Sequence, residues 1–138
     1  MNATTSGSIG DAFAGLSCEK HSSNIARFTP SDTDLIGMFI RLGPSVLRIG
    51  GNSVDQNVWT PNDPGQTVDQ IAPSDVDALA GFVKAAGWQC LYGVNLGGSA
   101  FNAKARATPA LAAAKVAYAA QQLGLSPLGV EISNEADL

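Results

Sequence analysis

Four short apolar runs, separated by three segments that carry helix start and stop signals, constrain this chain more than anything else in it. The runs are Ile9–Ser17, Val46–Ile49, Trp88–Val94 and Leu128–Ile132. The last three are rich in β-branched and aliphatic residues and too short for ordinary helices, so all four read as strands. Between them, Ser31 is an N-cap candidate with Asp34 three residues on, and Gly43-Pro44 ends that segment; Leu35, Ile36, Phe39 and Leu42 supply its apolar face. Pro73-Ser74, with Asp77 at capping-box spacing, opens a second helix whose Val76, Leu79, Ala80 and Val83 share one face, and Gly87 closes it. Thr108-Pro109 opens a third, lined by Ala112, Val116, Ala119, Ala120 and Leu123 and closed by Gly124. Strand centres lie roughly 33 to 44 residues apart, which suits βα units and a parallel sheet.

Hydrophobic residues make up 45 % of the 138, enough for a core, whereas charged residues make up only 14 %. An independent small domain carries roughly a quarter, so the chain is expected to be part of something larger. The net charge is −4 and the eight Lys and Arg are scattered, which argues against nucleic-acid binding by phosphate neutralisation. No run of about 18 apolar residues predicts a membrane span. Met1–Gly10 lacks the basic start and apolar centre of a signal peptide. Cys18 and Cys90 are too far apart to form a metal motif and are read as buried free thiols. No metal or cofactor is expected.

Polar residues gather where the runs end. Cys18-Glu19-Lys20-His21 follows the first, Gly50-Gly51-Asn52-Ser53-Val54-Asp55 the second, Asn95 the third, and Ser133-Asn134-Glu135 the fourth. In parallel α/β folds chemistry sits at these carboxyl ends. A doubly wound nucleotide-binding sheet would show a Gly-x-Gly-x-x-Gly turn after its first strand, and neither that pattern nor a P-loop is present. The remaining architecture is the first half, strands 1–4, of a (β/α)8 TIM barrel, spanning residues 1–138 and truncated after strand 4. The paired glycines allow a tight bend and close approach of a ligand to the backbone. Each polar residue also has a plain role open to it. Glu19 can pair with Lys20 or Arg27, Asn52 can cap a turn, and Asn95 or Asn134 can stabilise a bend. Glu131 alternates away from Glu135 and is expected to pair with a cation such as Arg48. Trp59, in the long loop from Gln56 to Ala72, is either a sugar-stacking platform or a lid over apolar surface, and His21 is read as structural.

Three blocks carry a resemblance: Val46-Leu47-Arg48-Ile49-Gly50-Gly51-Asn52-Ser53, Leu91-Tyr92-Gly93-Val94-Asn95-Leu96-Gly97 and Val130-Glu131-Ile132-Ser133-Asn134-Glu135-Ala136-Asp137-Leu138. From about Phe13 onward the chain resembles glycoside hydrolase family 79, the β-glucuronidases and heparanase-like enzymes, which are retaining hydrolases on a (β/α)8 barrel. The resemblance implies that Glu135 is the general acid/base, that Asn134 holds a sugar hydroxyl, and that Glu19 and Asn52 contact the sugar; Asp55 and Asn95 are further candidates by their place at strand ends. It implies a uronic-acid-containing glycoside or glycan as substrate and a secreted or periplasmic location. Two departures stand out: Ala136 replaces the usual Pro after Asn-Glu, and the nucleophilic carboxylate, expected after a seventh strand, has no counterpart here. The 138 residues alone are therefore expected to hydrolyse nothing. The alternative expectation is a non-catalytic carbohydrate-binding or assembly module that self-associates through open sheet edges.

Overall fold

The computed structural model describes residues 7–10, 13–95, 108–124 and 127–134. Four strands form one sheet in the order β1 (Gly15–Glu19), β2 (Val46–Gly50), β5 (Gln89–Val94), β6 (Pro127–Ile132), and every neighbouring pair is parallel. Three helices join them: α1 (Thr33–Leu42), α2 (Pro73–Ala86) and α3 (Pro109–Leu123). The chain is thus an α/β fold built of successive βα units, as its rhythm of runs and caps predicts.

Several boundaries differ from the sequence reading. The first strand starts at Gly15, not Ile9, because its register against β2 pairs Gly15 with Val46 and Glu19 with Gly50. Ile9 and Phe13 are left exposed. Asp32 caps α1 in place of Ser31: its Oδ1 accepts from Leu35 N at 3.0 Å, while the Ser31 hydroxyl is paired with that of Thr29. In α2, Pro73 occupies the first helical position, which makes Ala72 the N-cap and Asp75 the acid three residues on. Asp75 accepts from Ala72 N and Gln66 N, both at 2.8 Å, whereas Asp77 accepts from the Tyr118 hydroxyl. Thr108 caps α3 as expected, through Leu111 N at 3.2 Å.

The long loop is folded back on itself. Two short strands, β3 (Val58–Trp59) and β4 (Gln70–Ile71), pair within it. The buried Asn24 amide donates to Thr67 O, Gln70 O and Asn57 Oδ1, pinning the loop from below. Trp59 is buried with its ring 5.8 Å from that of Tyr118, so it covers apolar surface and is not offered to a ligand.

The core lies between the sheet and the helices. Leu47 and Ile49 of β2 and Cys90, Tyr92 and Val94 of β5 face it, and α2 contributes Val76, Leu79, Phe82 and Val83. Phe39, Phe82 and Trp88 stack with centroids 4.4 to 5.0 Å apart, and Trp88 Nε1 donates to Phe39 O. Strand alternation sends Ser17, Glu19, Arg48, Leu91, Gly93 and Glu131 to the other face. Cys18 is half-buried and Cys90 buried, each a free thiol.

Candidate functional site

The polar face has one organising charge, Arg48. In mid-β2 its guanidinium donates from Nε to Glu131 Oε2 at 2.7 Å and from its NH2 group to Glu131 Oε1, a two-pronged pair across β5. The pairing with Glu131 raises the Arg48 pKa further above its usual value. The NH1 group donates to Ser17 Oγ at 2.9 Å on β1. One side chain therefore ties β1, β2 and β6 together. Gly50 makes this possible: a Cβ there would stand 2.6 Å from the guanidinium carbon.

The same guanidinium reaches the rim. Its NH2 group donates to Asn134 Oδ1 at 3.3 Å, and Asn134 Nδ2 donates to Asn52 Oδ1 at 2.8 Å. Asp55 Oδ2 accepts from both Ser133 Oγ (2.8 Å) and Asn134 N (3.1 Å). Ser133 sits at φ +63°, a left-handed backbone that costs a non-glycine residue about 1 kcal/mol or more. Its amide donates to Val94 O at 2.7 Å. Asp55 and Val94 thus hold the bend that turns the chain out of β6 and delivers Asn134 to the rim.

Glu19 forms the other end of the rim. Its Oε2 accepts from Ser53 N (3.0 Å) and Ser53 Oγ (2.8 Å), and Ser53 Oγ accepts in turn from His21 N. Partial burial pushes the Glu19 carboxyl up, but the hydrogen bonds from Ser53 and Asn52 outweigh it and hold the carboxyl below its ordinary value. Its carboxylate packs where a side chain on Gly51 would stand, and Gly51 also needs its φ of +75°. The space opened by the two glycines is filled by Arg48 and Glu19 themselves, not left for a ligand.

Asn52, Asp55 and Asn134 are thus joined by direct hydrogen bonds, and Glu19 binds Ser53, the residue next to Asn52. Asn95 is buried at the end of β5. Glu135, the expected acid, lies outside the described residues; Asn134 is the last residue described. The sequence reading paired Glu131 with Arg48, as observed. It missed Ser53 and Ser133, whose only signal was a hydroxyl next to a residue singled out for other reasons. It also offered Lys20 as a surface partner for Glu19, but Lys20 is fully buried on the opposite face, its Nζ 2.9 Å from the Tyr92 ring centroid.

Among the described residues no group of three or more His, Cys, Asp or Glu could hold a metal ion, and no helix is long and apolar enough to cross a membrane. No protein-family model matches the chain, and no curated protein matches it.

Proposed function

We propose that this chain is the first half, strands 1–4, of a retaining (β/α)8 glycoside hydrolase of β-glucuronidase type, with Glu135 as general acid/base. One observation carries this reading: Asn134, the residue before Glu135, is gripped by Asn52, Asp55 and Arg48 at the carboxyl ends of parallel strands. The anchoring fixes the position of Asn134 just past the carboxyl end of β6. That is what a proton donor needs if it is to meet a glycosidic oxygen at a defined angle.

Retaining hydrolysis requires two carboxyl groups about 5 to 5.5 Å apart, one attacking the anomeric carbon and one protonating the leaving oxygen. In this reading Glu135 first donates its proton and then takes one from the incoming water. Asn134, Asn52 and Asp55 offer amide and carboxylate groups to sugar hydroxyls, Asn95 lines the adjoining strand end, and Glu19 shapes the turn at the far side. The attacking carboxylate comes from outside these strands, so the 138-residue chain should bind a glucuronide without turning it over. A second reading, a non-catalytic sugar-binding or assembly module, is favoured by one feature. Leu128, Val130 and Ile132 on β6 are exposed, an apolar row on a strand that is at the sheet's edge among the described residues and invites association.

Titration of the labelled chain with methyl β-D-glucuronide, followed by NMR, tests the first reading. Amide shifts centred on Asn52, Asp55 and Asn134, lost in Asn134→Ala, are expected. Shifts elsewhere, or none at millimolar sugar, would sink it. Release of the aryl group from an aryl β-glucuronide by the 138 residues alone would refute the assignment of the nucleophile to another segment.

A further inference from the structure

One row of hydrogen bonds on the rim has a direction that its own members dictate. The Arg48 guanidinium carries donors only and keeps its proton at any ordinary pH. The two-pronged pair with Glu131 and the bond to Ser17 Oγ hold it in one orientation. Asn134 meets it at 3.3 Å and must turn its side-chain oxygen toward it, because an amide nitrogen there would set donor against donor. Asn134 Nδ2 is then directed onward, and Asn52 meets it at 2.8 Å with an oxygen for the same reason. The cation at the head of the row thus decides which way both amides lie, and neither can flip without opposing two donors.

Asn52 ends the row at the surface. Its main-chain amide bonds to the Glu19 carboxylate, its side-chain oxygen accepts from Asn134, and the side chain is exposed. Among the described residues its Nδ2 donates to nothing, so two N–H bonds of a side chain held at both ends are left for a ligand. Asn134 is different. It has given its oxygen to Arg48, its main-chain amide to Asp55 and one of its two side-chain hydrogens to Asn52. Each bond in such a row polarises the next, which makes the terminal amide a better donor than an isolated asparagine.

We infer that Asn52 discriminates the ligand at this rim, and does so as a donor only: its Nδ2 binds an acceptor oxygen of the glycoside, and Arg48, two amides away, sets that polarity as a positioning residue. The inference rests on the glycoside site proposed above and adds which group faces the sugar and what that group can accept. The oxygen is a hydroxyl or, in a uronide, a carboxylate.

Asn52→Asp separates the two roles of this side chain. The aspartate has nearly the same shape and still offers Asn134 an oxygen, but it has no donor. Asn52→Ala lacks both and adds no charge. In the ligand-free labelled chain, NMR should show a hydrogen-bond coupling from Asn134 Nδ2 to the side-chain carbonyl carbon of Asn52, and none in the reverse direction. Titrations with methyl β-D-glucuronide and methyl β-D-glucoside follow. Both variants should bind about three- to tenfold more weakly than wild type. Loss for both glycosides assigns the acceptor to a hydroxyl, and loss for the glucuronide alone assigns it to the carboxylate. Wild-type affinity in either variant overturns the inference and leaves the glycoside site standing, as does a coupling that runs from Asn52 to Asn134. Failure of the wild-type chain to bind either glycoside overturns the inference and the glycoside site together.

Discussion

The two faces of the sheet treat charge in opposite ways. On the rim face, Arg48 and Glu131 keep 31 % and 23 % of their side-chain surface in solvent and satisfy each other in a two-pronged pair. On the helix face, Lys20 and Lys115 are buried, Lys20 against the Tyr92 ring, and neither amine has a hydrogen-bond partner among the described residues. The first arrangement is nearly neutral for stability and strong in geometric definition; the second is expensive unless proton loss relieves it. Position is what the rim face gains. Its pair links β2 to β6 at little net gain in stability, and it fixes where the strand ends point.

Residues adjacent in sequence put this contrast to its largest test. Leu47 is fully buried toward the helices, and Arg48 next to it faces the rim. Leu47→Ala should cost about 2 to 5 kcal/mol, through lost transfer energy and the cavity left behind. Arg48→Ala should cost about 1 kcal/mol, since the half-buried pair is still partly screened by solvent. Urea unfolding of both variants checks the asymmetry, and equal losses would mean that the rim pair is part of the core.

Next in size is the lysine side. The folded-state value of Lys115, about 8, lies below its ordinary 10.5. Between those values the unfolded chain binds more protons than the folded one at Lys115, so its contribution to stability rises with pH across roughly pH 8 to 10.5; Lys20, also held well below its ordinary value, adds a rise of the same sign. At pH 7, Lys115→Met should therefore stabilise the chain by about 3 kcal/mol and remove that share of the slope. Denaturant midpoints measured from pH 7 to 10 in both proteins decide it. An unchanged slope in the variant would move the titration to another group.

Much of this layout was legible in the sequence, and the misses have physical causes. The order of strands and helices could be read because Pro, Gly and Thr or Asp caps punctuate it, and such signals act over a few residues. The start of β1 could not, because Ile9 and Phe13 look like strand residues and only pairing with Val46 sets the register. The inner face of α3 was drawn through Ala120, which is exposed, and missed Lys115. In a helix this rich in alanine, hydrophobic contrast is too weak to fix which side faces in. Asn52, Asp55 and Asn134 stood out because strand ends are where side chains leave the ladder. Ser53 and Ser133 did not, because a hydroxyl takes its role from whichever partner the fold brings within 3 Å.

A smaller effect is expected where the rim depends on one acceptor. Asp55→Ala removes the partner of Ser133 Oγ and Asn134 N together. The loss should be about 1 to 2 kcal/mol, with the left-handed bend at Ser133 no longer held. Asn134 amide exchange should speed up markedly while the amides of β2 stay protected; protection unchanged at Asn134 would mean that Val94 alone holds the bend.

The smallest effect separates charge from shape at the rim. Arg48→Lys keeps the cation but offers a compact ammonium where four bonds now run, two to Glu131 and one each to Ser17 and Asn134. A lysine amine reaching Glu131 cannot also serve β1 and Asn134, because its three donors diverge from a single atom. Stability should fall by about 0.5 kcal/mol, near the limit of a urea titration. The side-chain amide of Asn134 should nonetheless broaden or shift, since it loses the guanidinium while keeping Asn52 and its backbone bond to Asp55. An Asn134 amide unchanged in Arg48→Lys would show that positive charge alone positions the rim, and that the planar fork is incidental to it.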